Sequence, residues 1–307
     1  MQRLLSKSAT PTPDNGTEVF STAPTAPTSL RRIVARHEAP AWLRDNEYIH
    51  TGFRRPSYSY LGSFASLTYL HNETVNIYSH LIGAILLPAA AVVLFIRSHR
   101  YKIAGRADLI VFGVFFVGAV ACLSMSATYH ALSNHSPNVH NLWLRLDVTG
   151  IAVLTAATFV PGVYYGFYCE PLLQNIYWTM ITTFASAGAV VVLLPRFGTS
   201  KWRGFRAGVF IAMGLSALIP IAHSIRLFGL AQSHRQCGLY WFLLEGLFYA
   251  LGATAYVKLI PERWRPGAFD ILGSSHQVFH MLVLFGVASH LKGLVVGFDY
   301  NHSHIRC

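Results

Sequence analysis

Seven runs of apolar residues, each about 20 long and separated by short polar breaks, decide what this chain can become. A run of that length matches the roughly 30 Å hydrocarbon core of a bilayer, where every backbone N–H and C=O needs a partner within the protein. Helices meet that demand segment by segment, so the sequence predicts an all-α, polytopic membrane protein with seven transmembrane helices. Composition agrees: 53% of the 307 residues are hydrophobic and 12% are charged, which does not suit two soluble domains. The net charge of +11 does not indicate nucleic-acid binding, because no basic block is interleaved with aromatics. Lys and Arg fall mainly in the tail and in the breaks between runs. They are about twofold commoner on the N-terminal side, which predicts a cytoplasmic N-terminus and a C-terminus outside or in a lumen. The break from Arg97 to Arg106 runs against that bias.

In chain order, residues 1–53 are rich in Ser, Thr, Pro and Arg and read as a disordered tail, with residues 54–307 forming the membrane domain. Ser57 to Leu70 is too short and too polar to span but carries aromatic and Leu side chains, as a helix lying in the interface would. The first span follows His71 and ends near Ile96. The others fall at about 109–132, 144–166, 172–194, 205–226, 239–260 and 276–298. Cys122, Cys169, Cys237 and Cys307 form no Cys-x-x-Cys pair and are expected to pack rather than pair.

The last span opens with His276 and His280, four residues apart and so on one face of a helix. This is the spacing of the zinc-protease motif His-Glu-x-x-His, but Gln277 stands where the base would be and cannot take a proton. With seven spans, the end of the second, the start of the third and the start of the seventh lie on one side of the membrane. His130, Asp147, His276 and His280 occupy those ends. Three imidazoles suit Zn²⁺ and leave a fourth position for water, as in catalytic sites, and Asp147 is placed to orient that water or take its proton. Ser126, one turn before His130, reaches the rim of the same site. Simpler readings exist for each: a helix-end imidazole at the interface for His130, a salt bridge to Arg145 for Asp147, a bond to its own helix backbone for Ser126. His80, His223, Glu245, His290 and Lys292 are polar groups within spans that packing and snorkelling would explain.

The stretch His71-Asn-Glu-Thr-Val-Asn-Ile-Tyr-Ser-His80 resembles the opening of the progestin and adipoQ receptor family, whose fungal branch includes zinc-homeostasis proteins and whose distant relatives include hemolysin III. Ser126-Ala-Thr-Tyr-His130, Arg145-Leu-Asp-Val-Thr-Gly-Ile151, Pro261 to Asp270, and Ser275-His-Gln-Val-Phe-His280 are similar to the family's remaining blocks, in the same order, so the resemblance covers about residues 54–298. It implies a cytoplasmic N-terminus, zinc ligands at His130, His276 and His280, and supporting positions at Asp147 and Ser126. It also implies a substrate class, lipid amides such as ceramide. Three functions follow: a zinc-dependent lipid-amide hydrolase, a receptor in which zinc is a structural rivet and the ligand is extracellular, and a transporter or channel acting on metal or proton levels. The expected partners are membrane lipids. The expected membrane is the plasma membrane or the endoplasmic reticulum.

Overall fold

The computed structural model of the chain describes residues 32–96, 100–194, 196, 202–305 and 307. It divides into residues 1–32 and residues 33–307, and the helical fold lies in the second unit. A short helix α1 (Tyr60–Ala65), continued by a 3-10 turn, leads to α2 (Thr74–Ala91). There follow α3 (Arg100–Ile103), α4 (Arg106–Leu132), α5 (Pro137–Gly166), α6 (Pro171–Leu193), α7 (Arg203–Leu215), α8 (Leu218–Phe228), α9 (Leu230–Cys237), α10 (Leu239–Lys258) and α11 (Ser275–His304). Among the described residues, six stretches are long and apolar enough to cross a bilayer, with α7 and α8 together supplying one of them from Gly208 to Phe228. A seventh is counted when α9 and α10, bent by 82°, form one span. The bend is at Gly238, whose φ of +72° is left-handed and whose absent side chain lets the backbone approach Gly293 of α11; a Cβ there would lie 2.5 Å from that backbone.

The predicted polytopic helical architecture is therefore present, and the packing explains its order. Phe112, Phe115 and Leu123 of α4 meet Leu154 and Tyr165 of α5 and Val287, Leu294 and Phe298 of α11 in one buried core. Small residues let α4 and α5 run close: a Cβ on Gly118 would fall 2.2 Å from that of Ala157. Outward, large apolar side chains such as Val117, Leu172 and Val257 are about 70% exposed. A surface of this kind belongs against lipid rather than water. The short helix before the first span carries the same character at Tyr60, Leu61 and Phe64.

Two expectations are corrected. The segment ahead of residue 54 is not featureless: Ile33–Val34 pairs antiparallel with Phe53–Arg54, while residues 1–31 lie outside the described residues. Asn46 donates to Glu262, and Asp270 accepts the backbone N–H groups of His50 and Thr51 and the Thr51 hydroxyl. A polar composition could not reveal this, because the anchors lie more than 200 residues downstream. Nor are all four cysteines packing residues, since Cys169 and Cys307 form a disulfide across 138 positions. Cys122 and Cys237 are free and buried.

Candidate metal centre

At the bundle end shared by the C-terminus of α4 and the N-terminus of α11, His130, His276 and His280 converge. Their ring centroids form a near-equilateral triangle with sides of 4.8, 4.8 and 4.9 Å. One ligand nitrogen from each lies within 4.8 Å of the others, so the three could hold a metal ion. Local structure explains why the rings point together. Glu262, fully buried, accepts the backbone N–H and the hydroxyl of Ser275 and thereby caps the start of α11 next to His276. On α4, the buried guanidinium of Arg54 donates to the carbonyls of His130 and Ala131 and to the hydroxyls of Ser66 and Ser133. It closes the end of the helix where backbone acceptors would otherwise be orphaned. Burial lowers its pKa to about 10, which still leaves it charged at neutral pH.

For two of the three imidazoles the remaining nitrogen is also held. His130 Nδ1 is 2.7 Å from a Glu73 carboxylate oxygen, and its Nε2 is buried with no partner. His280 Nδ1 lies 3.2 Å from the Asn76 carbonyl oxygen. A proton on each Nδ1 leaves the other nitrogen as a lone pair toward the centre, the tautomer a metal ligand requires. The donor set and the orphaned Nε2 thus fit a divalent cation. His80 stacks on His280 at 3.8 Å, with both ring nitrogens buried and unpartnered. Its ring backs the ligand triangle from α2.

Asp147, half-buried on α5, lies close to Ser126 and in the field of His130. Among the described residues it forms no ion pair with Arg145. All five residues singled out in the sequence are therefore gathered at one end of the bundle. Gln277 is structural: its amide donates to the carbonyls of Asn72 and Ile271 and accepts from Gly273 N–H. His223, away from the centre, pairs with the Tyr177 hydroxyl at 2.6 Å.

A family model described as haemolysin-III related matches residues 68–291. The chain belongs to that family. Among the relatives of this haemolysin-III-related protein, the ADIPOR-like receptor IZH2 of Saccharomyces cerevisiae is 36% identical over 305 residues, 98% of this chain and 94% of the yeast protein. The Adiponectin receptor protein of Drosophila melanogaster is 41% identical over 255 residues, 83% of this chain and 57% of the longer fly protein. Heptahelical transmembrane protein 3 of Arabidopsis thaliana is 31% identical, with 91% of each chain covered.

The sequence reading missed three groups at this haemolysin-III-related centre. Glu73 was legible only as part of the His71–His80 block, and its tie to His130 spans 57 residues. His71 turns its Nδ1 to the Glu73 N–H, and burial together with Arg54 lowers its pKa to about 3, so it is a neutral acceptor. Asp45 arrives on the anchored segment before the first span. It lies near Glu73 and His130, and desolvation together with the Glu73 charge raises its carboxyl above the usual range.

Glu73 yields the first prediction. Partners of this kind orient and polarise a ligating imidazole, and losing one usually costs about 10- to 100-fold in metal affinity. Glu73→Gln should weaken divalent-metal binding by that factor while leaving the helical fold intact, read by chelator competition on the purified protein. Unchanged affinity would reduce Glu73 to a helix-end contact.

Proposed function

We propose that the chain is a zinc-dependent hydrolase of lipid amides, of which ceramide is the type substrate. The observation that carries the reading is the convergence of three imidazoles with the Asp147 carboxylate close by, within the field of His130. His130, His276 and His280 would hold the ion. Zinc held there by three neutral nitrogens would supply Lewis acidity and lower the pKa of water. The chain's own residues do the rest. Asp147 accepts the proton of the attacking water at its carboxylate, Ser126 holds that carboxylate in place, and Glu73 fixes the His130 tautomer. The lipid-facing apolar surface brings the substrate from the bilayer. Metal analysis of the purified protein together with turnover of a ceramide series, wild type beside Asp147→Asn, tests the reading.

A second reading, a receptor in which the metal is structural, draws on the receptor names printed for the fly and yeast relatives. Measured hydrolysis separates the two.

In the proposed orientation the centre faces the cytoplasm. Lys and Arg are commoner on that side. The disulfide joins the ends of α5 and α11 at the opposite face, and disulfides persist in oxidising compartments. A protease-sensitive tag on the N-terminus should lie on the cytoplasmic side and one on the C-terminus outside or in a lumen, read by protease protection in sealed cells and in sealed microsomes. Both tags on one side of the membrane would mean an even number of spans and would remove the common depth on which the centre depends.

A further inference from the structure

The strap of residues 33–54 reaches both helix ends that carry the three imidazoles. It is a folded unit in itself. Ile33–Val34 pairs with Phe53–Arg54, the Arg36 backbone N–H donates to the His50 carbonyl at 2.8 Å, and the Arg36 guanidinium donates to the carbonyls of Arg44 and Asn46. Val34, Ala39, Ile49 and Phe53 are buried together inside it. A loop with its own apolar centre and cross-bonds resists stretching, so its points of attachment hold a set separation.

One attachment is Arg54, whose guanidinium donates to the carbonyls of His130 and Ala131 at the end of α4. Another is Asn46. Its side-chain amide donates to Glu262 Oε1 at 2.8 Å. The same fully buried carboxyl accepts the Ser275 backbone N–H on Oε2 at 2.7 Å and the Ser275 hydroxyl on Oε1. Ser275 opens α11 directly before His276, so a chain of bonds runs from the strap to the first turn of the ligand helix. Asn46 Oδ1 meanwhile accepts the Tyr48 N–H at 3.0 Å. The amide oxygen of Asn46 therefore serves the strap and its nitrogen serves the bundle. Without that nitrogen, Glu262 would be short of a donor in a place closed to solvent, which costs more than an ordinary hydrogen bond.

We propose that the strap is a clamp that sets the spacing between the ends of α4 and α11, with Asn46 as a positioning residue acting through Glu262 and Ser275 on His276. The inference rests on the reading of His130, His276 and His280 as metal ligands. Zinc takes imidazole nitrogens at about 2.0–2.1 Å, so a small change in the spacing of the two helix ends is felt at the ion. Phe115 and Leu123 of α4 and Val287 and Leu294 of α11 hold the two helices together further along. Helix ends are where local opening costs least, and that is where the clamp acts. Asp270 holds the strap separately, through the N–H groups of His50 and Thr51, so the strap stays docked when the Asn46 bond is lost.

Asn46→Asp tests the clamp in the full purified chain. It is isosteric and keeps an oxygen for the Tyr48 N–H, but it sets a second carboxyl against Glu262 in place of a donor. Zn²⁺ affinity, read by chelator competition, should fall at least tenfold. The absorption bands of the Co²⁺-loaded protein should shift, and amide hydrogen exchange over the first turn of α11 should quicken in the metal-free protein. Pairing Asn46→Asp with Glu262→Gln restores a donor and an acceptor with their direction reversed, and should return all three readings toward wild type. Glu47→Gln, at an exposed strap residue with no hydrogen bond among the described residues, should move none of them. Asn46→Ala, which removes the donor without adding a charge, keeps the test decisive should Asn46→Asp fail to fold. Wild-type exchange at α11 in these variants would overturn the clamp, and so would quickened exchange with unchanged metal affinity and Co²⁺ bands, which makes Asn46 a structural tie only. Wild type that binds neither ion would instead remove the ligand reading, and the exchange arm alone would then decide whether the strap holds α11.

Discussion

His276→Ala and His280→Ala are each expected to lose bound zinc and to lower the melting temperature of the purified protein. The three imidazoles come from two helices, α4 and α11, that are far apart in the chain, so an ion held by all three binds the folded bundle and not the separated helices. Such a ligand stabilises by about 4 kcal/mol when its free concentration is a thousand times Kd. For a chain of this size that corresponds to roughly 6 °C in Tm. A chelator supplies the control: wild type stripped of metal should melt near the two variants, whose own Tm should not move. His290→Ala offers the contrast, since it leaves Glu245 without its partner. It should lower Tm while zinc content stays at the wild-type level. Full zinc occupancy in both His276→Ala and His280→Ala would remove these residues from the ligand set.

The convergence was legible because it follows from counting spans. Once seven crossings are read, odd and even ends sort themselves to two faces, and His130, Asp147, His276 and His280 must share one. Helical spacing then adds Ser126, one turn from His130. What could not be read are contacts that no local pattern encodes. The Asn46–Glu262 and Thr51–Asp270 bonds close over 216 and 219 residues, so the strap before the first span looked like a featureless tail. The Cys169–Cys307 bridge has the same character. The 82° bend between α9 and α10 needed knowledge that Gly238 packs on Gly293; the sequence shows only that the polar stretch Leu230–Cys237 precedes a span starting at about residue 239. Arg54 reads as one of several basic residues near the membrane, and only the fold makes it the cap of α4.

Asp147→Asn is expected to keep zinc and abolish most turnover. The substitution preserves side-chain size, so the packing of α5 on α4 has no reason to change. What disappears is a group able to take a proton from water, and general-base catalysis is typically worth about 10²- to 10⁴-fold. That range equals roughly 3 to 5.5 kcal/mol of barrier. Ser126→Ala should cost less, on the order of tenfold, because it removes one hydrogen bond to the carboxylate and leaves the base itself. Under the receptor reading no lipid-amide hydrolysis exists to be lost, and both substitutions would register only as small changes in Tm. Zinc-loaded wild type that cleaves none of a series of ceramides differing in chain length would therefore end the ceramidase proposal. Turnover that survives Asp147→Asn unchanged would keep the enzyme and remove Asp147 from its chemistry. Asp45 is then the next carboxylate to replace, since it lies near Glu73 and His130.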